Sequence, residues 1–258
     1  MATATGEGGR PHAEHAQKLH YDQIAAAYEA HYDDVWSRRY RERFVDAPLF
    51  TGLDLAGRQV LDAMCGSGQT TGALLARGAR VTGLDISEAC IQSFQSRWPQ
   101  CRTVCTAITQ SGLPSESFDA VVVVAGLHHL HPHIDAAIKE IHRLLRAGGM
   151  FCFLEPHRAS LADWFRRRWY RHDPLFLANE AAIDLARLKG RYAPRFEFVR
   201  EHYGGNIAFL LVLNSMVFRI PPGWKGFYSP ALLRLEALIG AVQPRWLSCF
   251  AVCQWRKR

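Results

Sequence analysis

The clearest indication of the fold is the segment Val60-Leu61-Asp62-Ala63-Met64-Cys65-Gly66-Ser67-Gly68. It reads as a short apolar strand and a glycine-containing turn that leads into a helix over residues 70–77. At such a turn, the N–H groups of a helix N-terminus and the missing side chain of glycine let a ligand approach the main chain. A second acid, Asp85, ends the next strand, close to the ~20-residue spacing at which a carboxylate accepts hydrogen bonds from ribose hydroxyls. Together these features predict a site for a nucleoside-bearing cofactor.

Short apolar strands alternate with amphipathic helices from residue 57 to residue 156. The pattern predicts strands over 59–62, 80–85, 118–124 and 150–154, and helices over 70–77, 87–98 and 134–146. Residues 121–124 are four valines, which suit a central strand buried on both faces because β-branched side chains pack well there. The alternation predicts a doubly wound α/β core.

The flanking regions differ from this core, although we expect residues 17–258 to form one domain. Residues 1–16 are polar and Gly-rich and are expected to be a disordered leader. Residues 17–56 are expected to form lid helices, because most of their aromatic residues fall on one helical face. The alternation is lost over 157–245, which we expect to be a helical cap. Residues 246–258 are expected to hold the last strand, over 246–255, and a basic tail.

The composition is that of an ordinary globular protein, with 48% hydrophobic and 21% charged residues among 258. Its net charge of +7 favours anionic partners. The seven cysteines form no Cys-x-x-Cys pair and do not suggest a secreted disulfide framework. No signal peptide is indicated, and the longest apolar run, 207–213, is far shorter than the ~20 residues that span a bilayer. We therefore expect a cytoplasmic protein without a transmembrane helix.

Two other interpretations of the glycine turn stay open. A dinucleotide-binding protein has the same turn and acid, but its fingerprint asks for a third glycine at position 71, where this chain has Thr71 and then Gly72. Alternatively, the glycines only make a tight turn, and Asp85 only caps the next helix.

Five motifs in order extend the pattern over residues 21–156. They are residues 60–68, Asp85-Ile86-Ser87, Leu113-Pro114 with Ser117-Phe118-Asp119-Ala120-Val121, Leu127-His128-His129-Leu130, and residues 140–149, which contain Arg146-Ala147-Gly148-Gly149. In these motifs the chain resembles the class I S-adenosylmethionine-dependent methyltransferases, in the small-molecule branch that includes the ubiquinone and menaquinone biosynthesis enzymes.

The resemblance implies a Rossmann-like, seven-stranded, mostly parallel sheet and S-adenosylmethionine as cofactor. It implies that the methionyl part lies over 62–68, the ribose on Asp85 and the adenine between Ile86 and Ile108. The cofactor contacts that it implies are Tyr28, Asp62, Ala63, Met64, Gly66, Gly68, Asp85, Ile86, Thr106, Ala107, Ile108 and Ala125. Two positions depart from the family: Met64 replaces the usual first glycine, and Thr106 replaces an Asp that often binds the adenine amino group. The Thr106 hydroxyl can still accept one hydrogen bond.

His128, His129 and Glu155 are the candidate catalytic residues, because they follow strands at the edge where ligands bind in open α/β sheets. Histidine suits the removal of a proton from a hydroxyl or ammonium acceptor. Equally, the two rings can merely shape the pocket, and Glu155 can begin a helix. A metal is not expected, although His131 and His133 lie close by, since no Cys or carboxylate joins this short run.

The predicted cap carries two segments that suit an acceptor. Residues 161–171 interleave aromatic and basic residues, which fits a phosphate or acidic group or, alternatively, a solvated arginine face opposite Trp and Phe core anchors. Residues 206–218 are apolar all round a helix and suit burial, an apolar tunnel or a dimer contact. We expect a small-molecule or phosphorylated or lipid-like acceptor, with O-, N- and C-methylation all open, and peripheral membrane contact is compatible with this. An RNA methyltransferase and a non-catalytic cofactor-binding scaffold are the alternatives; no appended RNA-binding module is visible.

Overall fold

The computed structural model describes residues 31–170 and 181–258. The predicted leader, the first part of the predicted lid and Tyr28 lie outside these residues. Among the described helices, none is long and apolar enough to cross a membrane.

Seven strands form one sheet: β1 (Gln59–Ala63), β2 (Arg80–Asp85), β3 (Arg102–Cys105), β4 (Phe118–Val124), β5 (Leu145–Pro156), β6 (Phe196–Gly204) and β7 (Phe250–Lys257). Their order is β3-β2-β1-β4-β5-β7-β6, and β7 runs antiparallel to both of its neighbours. The order reverses between β1 and β4, which is where ligands bind in open α/β sheets. The predicted fold class, a mostly parallel doubly wound sheet, is confirmed.

Helices cover both faces of the sheet. They are α1 (Val35–Arg41), α2 (Ala47–Phe50), α3 (Thr71–Leu75), α4 (Glu88–Arg97), α5 (Ile134–Leu144), α6 (Leu161–Tyr170), α7 (Leu185–Tyr192) and α8 (Lys225–Gly240). Two π-helical segments, Glu42–Asp46 and Phe209–Leu213, interrupt the regular helices. Polar side chains at three helix starts satisfy free N–H groups: Asp34 before α1, Ser87 before α4 and Asp184 before α7.

The valine run of β4 explains how the sheet holds two cores. Successive side chains of a strand point to opposite faces. Val121 and Val123 pack in the core that contains α5 and α7, while Val122 packs in the core that contains α1. All three are fully buried, as predicted for a central strand.

Several predicted boundaries differ from the structure. Helix α5 ends at Leu144, before the predicted 146, because Leu145 already pairs with Phe118 and the chain enters β5 through a register shift. The last strand begins at Phe250, after the predicted 246, because Arg245–Leu247 forms a 3-10 turn. The region 157–245 is not entirely a helical cap, since it contains β6. Residues 206–218 contain a short π-helix, Phe209–Leu213, followed by turns, and do not form one long helix.

Candidate functional site

A cavity of about 640 Å³ opens at the carboxyl ends of β1, β2, β4 and β5. Its size lies within the ~300–1,000 Å³ of ordinary small-molecule sites. Residues of the glycine turn and Asp85 line one end, and residues of α6 and of the π-helix Phe209–Leu213 line the other. The histidine pair His128 and His129 lies on the wall as well.

Asp85 organises the glycine turn. Its Oδ2 accepts a hydrogen bond from the N–H of Gly66 at 2.9 Å, and its Oδ1 accepts one from the N–H of Ser87 at 2.9 Å. Gly66 has a φ of +53°, a left-handed conformation that glycine adopts at little cost. The carboxylate is thereby fixed at the cavity wall.

The structure brings most of the predicted cofactor contacts together. The cavity is lined by Asp62, Met64, Gly66, Asp85, Ile86, Thr106, Ala107, Ile108 and Ala125. Ala63 and Gly68 are not among the lining residues. Ala63 is fully buried in the core, because its side chain points away from the cavity into the sheet packing.

Gly68 lies in the turn in close contact with two aromatic side chains. Its φ is +81°, and a Cβ built there would lie 2.6 Å from Nε1 of Trp98 and 2.8 Å from Cδ2 of Phe94. The indole N–H of Trp98 donates a hydrogen bond to the Gly68 carbonyl at 3.0 Å. Only glycine fits this close approach, and Trp98 is a supporting residue that sequence reasoning missed.

Met64 has a φ of +57°, in the left-handed region that glycine adopts at little cost. Such a conformation costs an L-residue ~1–2 kcal/mol. The Met64 side chain fills the space beside Gly126, where an added Cβ would lie 2.8 Å from its sulfur. Met64 therefore narrows the cavity between β1 and β4.

Asp62 is almost fully buried and accepts a hydrogen bond from the Thr71 hydroxyl at 2.7 Å. Burial raises the pKa of Asp62 to about 7, against the lowering effect of Thr71 and of the positive charge of Arg41. Arg41 also lines the cavity, and its Nη2 donates to Thr70 Oγ1 at 2.8 Å. Nothing in the sequence around Arg41 distinguishes it from the other basic residues of α1, so it was not predicted.

His128 and Glu155 form a buried pair. The Glu155 side chain is 1% exposed, and its Oε2 lies 2.8 Å from Nδ1 of His128. Its Oε1 accepts hydrogen bonds from the N–H groups of Gly126, at 2.8 Å, and Leu127, at 2.6 Å. Burial raises the pKa of Glu155 to about 7, although these N–H groups oppose the shift. Glu155 does not line the cavity; it fixes the turn and ring of His128, which does.

The other histidines of this loop are arranged differently. The His129 ring lies 3.9 Å from the His128 ring, centroid to centroid, and lines the cavity. His131 and His133 do not line it, and burial lowers the pKa of His131. Within residues 31–170 and 181–258, no group of three or more His, Cys, Asp or Glu side chains is arranged to hold a metal ion.

The opposite end of the cavity is mostly apolar. Its lining comprises Ala162, Asp163, Phe165, Arg166 and Trp169 of α6, Phe209, Leu210 and Leu213 of the π-helix, and Asn214, Met216, Val217 and Phe218. Trp164 and Phe165 are 55% and 59% exposed, so they are not the core anchors that one interpretation of this helix required.

Comparisons with known proteins find methyltransferases among those that resemble this chain. Residues 60–149 match the family model described as a methyltransferase domain. An uncharacterized methyltransferase of Synechocystis is 34% identical over 120 residues, 46% of this chain and 57% of the relative. A fatty-acid O-methyltransferase of Mycolicibacterium smegmatis is 29% identical over 206 residues, 76% of this chain and 69% of the relative. In several of these alignments the chain spans only about half the length of the curated relative.

Solved structures share the fold. The 1,6-didemethyltoxoflavin-N1-methyltransferase of Burkholderia thailandensis, with bound S-adenosylhomocysteine, matches with a TM-score of 0.56 and 21% identity, over 100% of this chain and 92% of that one. Over residues 60–149 this chain is therefore similar to methyltransferase domains, and its relatives include a probable S-adenosylmethionine-dependent methyltransferase of Mycolicibacterium smegmatis.

Proposed function

We propose that this protein transfers a methyl group from S-adenosylmethionine to a small-molecule or lipid-like acceptor. The observation that carries the proposal is one cavity lined by both the Asp85–Gly66 turn and the His128–Glu155 pair. The methyltransferase domain match and the methyltransferase relatives support it.

The residues at the turn end of the cavity fit the proposed cofactor. Asp85 would accept hydrogen bonds from the ribose hydroxyls, and Ile86 and Ile108 would hold the adenine. Asp62 and Arg41 supply opposite charges for the methionyl ammonium and carboxylate. When bound, S-adenosylmethionine supplies an electrophilic methyl group on its sulfonium sulfur. The protein then has to align the acceptor and exclude water, for which positioning can contribute ~7–11 kcal/mol.

His128 is the proposed general base for an acceptor that must lose a proton. When ionised, Glu155 accepts a hydrogen bond from Nδ1–H of His128, and Nε2 of the same ring is the proposed base for the O–H or N–H proton of the acceptor. Because the pKa of Glu155 is about 7, protonation below neutral pH removes this acceptor. Activity toward such acceptors is therefore expected to fall as the pH drops through 7.

The apolar end of the cavity supports a lipid-like acceptor. Aromatic and aliphatic side chains there suit a lipid-like body, and the relative from Mycolicibacterium smegmatis is named for fatty acids. A cytoplasmic location is part of the proposal, since none of the seven cysteines, all of which lie in the described residues, forms a disulfide, as in a reducing compartment.

Transfer of label from methyl-labelled S-adenosylmethionine to a panel of fatty acids, phosphorylated lipids, phenols and quinols tests the proposal. We expect His128→Gln to reduce the rate for a hydroxyl acceptor by about 10²–10⁴-fold, the usual contribution of a general base. His133→Gln is the matched control, because His133 belongs to the same loop but does not line the cavity. If the cofactor binds but no acceptor in any class is labelled, a non-catalytic scaffold is the better account.

A further inference from the structure

Helix α8 is amphipathic in the reverse of the usual sense. A surface helix normally turns its apolar residues to the core and its polar residues to solvent. In α8 the buried residues are polar or charged: Lys225, Ser229 and Glu236. The exposed apolar residues are Trp224 directly before the helix, Phe227, Leu235 and Leu238 within it, and Val242 shortly after it. We call these five exposed residues the outer face of α8.

The outer face is one continuous stripe. Its members follow one another at separations of three, eight, three and four residues, which place them along one side of a helix. In the part of the chain that the structure describes, Phe227 is 89% exposed, Leu238 71% and Val242 83%. Single exposed apolar residues are ordinary, whereas an apolar stripe marks an interaction surface.

Buried polar contacts hold α8 in this orientation. Nζ of Lys225 donates a hydrogen bond to Oγ of Ser37 at 2.8 Å and forms an ion pair with Asp34. Glu236, on the same side of the helix, accepts the hydrogen bonds of Tyr40 and Asn206. Rotating the helix to bury the outer face would break these contacts and leave buried polar groups without partners. The folded chain therefore keeps the outer face at the surface.

The exposed charges beside the outer face are basic. Arg234 is exposed on α8, and Arg245 is exposed in the 3-10 turn that follows, next to the exposed Trp246. Over residues 202–258 the one acidic side chain is Glu236, which is buried. Tryptophan favours the headgroup layer of a bilayer, and arginine is attracted to anionic lipids. This combination of side chains suits an anionic bilayer.

A second copy of the chain suits the outer face less well. Around a two-fold axis the same surface meets itself, so Arg234 of each copy would approach an apolar and basic surface. The stretch 202–258 offers no exposed acid to pair with it. An anionic bilayer supplies negative charge and apolar volume together.

The outer face also has a short connection to the acceptor end of the cavity. The turn Arg245–Leu247, which follows α8, lies against α6. Phe165 and Trp169 of α6 are exposed and line the cavity as well. Exposed aromatic residues thus continue from the turn to the cavity wall.

We propose that the outer face of α8, together with Trp246, Arg234 and Arg245, docks on a bilayer that contains anionic lipids. The apolar side chains enter the headgroup layer, and the arginines contact the lipid phosphates, as in amphipathic helices that lie in the membrane surface. The proposal goes beyond methyl transfer, and its test needs neither cofactor nor acceptor.

Co-sedimentation of the full chain with vesicles tests the docking. Vesicles of phosphatidylcholine and phosphatidylglycerol in equal parts are compared with vesicles of phosphatidylcholine alone, and we expect tighter binding to the anionic ones. The double substitution Phe227→Ser and Leu238→Ser should weaken that binding by about 10- to 100-fold, because two side chains lose their burial in the headgroup layer. Arg234→Gln should weaken it by about fivefold at low salt.

Val199→Ser is the matched control, since Val199 is an exposed apolar residue of β6, away from the outer face. A general attraction of a basic protein to anionic vesicles remains in both proteins, so the difference between them reports the outer face. Equal binding by the double variant and Val199→Ser would overturn the inference, as would equal binding of the unmodified protein to both kinds of vesicle.

Analytical ultracentrifugation of the same proteins distinguishes the other occupant. A dimer that the double substitution abolishes, in a protein that does not bind vesicles, would assign the outer face to a second copy and contradict docking on a bilayer. Failure of vesicle binding does not bear on methyl transfer, which the labelling experiment tests separately.

Discussion

Gly68 and Gly112 share a left-handed backbone, with φ of +81° and +69°, but only Gly68 is enclosed. A Cβ at Gly68 would overlap Trp98 and Phe94, whereas nothing lies within 4 Å of one at Gly112. Substitutions at these two glycines therefore distinguish two free-energy costs. Both positions have the cost of the left-handed backbone, and only Gly68 has the cost of overlap with neighbouring side chains.

We expect Gly112→Ala to lower the free energy of unfolding by about 1–2 kcal/mol, the cost of the left-handed conformation. Gly68→Ala should lower it by about 1–3 kcal/mol more, because overpacking is added. Urea denaturation of both variants measures the difference. Equal losses would mean that the packing of Trp98 on the glycine turn is not as described.

At the scale of elements, Glu236 of α8 holds the π-helix that lines the acceptor end. Its Oε1 accepts hydrogen bonds from the Asn206 N–H at 2.9 Å and the Tyr40 hydroxyl at 2.8 Å. Its Oε2 accepts one from the Ala208 N–H at 2.9 Å. This carboxylate, 2% exposed, joins α1, α8 and the start of the π-helix.

Removing this carboxylate should therefore loosen the acceptor wall. We expect Glu236→Ala to cost at least about 2–3 kcal/mol of stability, because several buried donors lose their acceptor. Tyr40→Phe removes one donor and should cost about 1 kcal/mol. Chemical denaturation gives both values. A loss for Glu236→Ala no larger than that for Tyr40→Phe would show that the N–H groups of the π-helix find other acceptors.

Elements with strong local patterns were predictable, and elements that depend on distant partners were not. The strands β1, β2 and β4 carry apolar runs that identify them in the sequence. Strand β6 lies at the edge of the sheet, with most residues between its ends exposed or half-buried, so its alternation is weak. The π-helices depend on tertiary contacts such as the one with Glu236, which no local spacing reveals.

The residues of the predicted site also divide into those that local sequence reveals and those that depend on distant partners. The turn and Asp85 follow from adjacent sequence, and the pairing of His128 with Glu155 required the parallel register of β4 and β5. The roles of Trp98 and Arg41 arise from contacts between elements, as does the place of Arg166 on the cavity wall. No periodicity distinguishes Arg166 from Arg167, yet only one of them lines the cavity.

At the scale of the whole molecule, buried acids make stability depend on pH. Burial raises the pKa of both Asp62 and Glu155 to about 7, and that of Asp46 to about 6. Between the ordinary carboxyl pKa and these values, the folded state binds more protons than the unfolded state. These three acids therefore increase the stability as the pH falls through their raised pKa values toward the ordinary carboxyl pKa.

We expect the free energy of unfolding to rise by about 1 kcal/mol from pH 8 to pH 7, as Asp62 and Glu155 take up protons. Below about pH 6.5 this gain in the free energy of unfolding should diminish. Burial lowers the pKa of His131, His142, His157 and His202. These histidines therefore bind fewer protons in the folded state than in the unfolded state, which favours unfolding at lower pH. Differential scanning calorimetry across pH 6–8 measures this. A stability that falls steadily from pH 8 to pH 7 is incompatible with these shifts.

Calorimetric titration of the protein with S-adenosylmethionine and S-adenosylhomocysteine tests directly whether the cavity binds the methyl donor. We predict micromolar binding that Asp85→Asn weakens by about 10- to 100-fold, through loss of hydrogen bonds to a charged acceptor. Asp54→Asn, at an exposed carboxylate outside the cavity lining, should leave the affinity unchanged. Absence of binding, preference for NAD, or equal effects of the two substitutions would contradict a methyl-donor site at the Asp85–Gly66 turn.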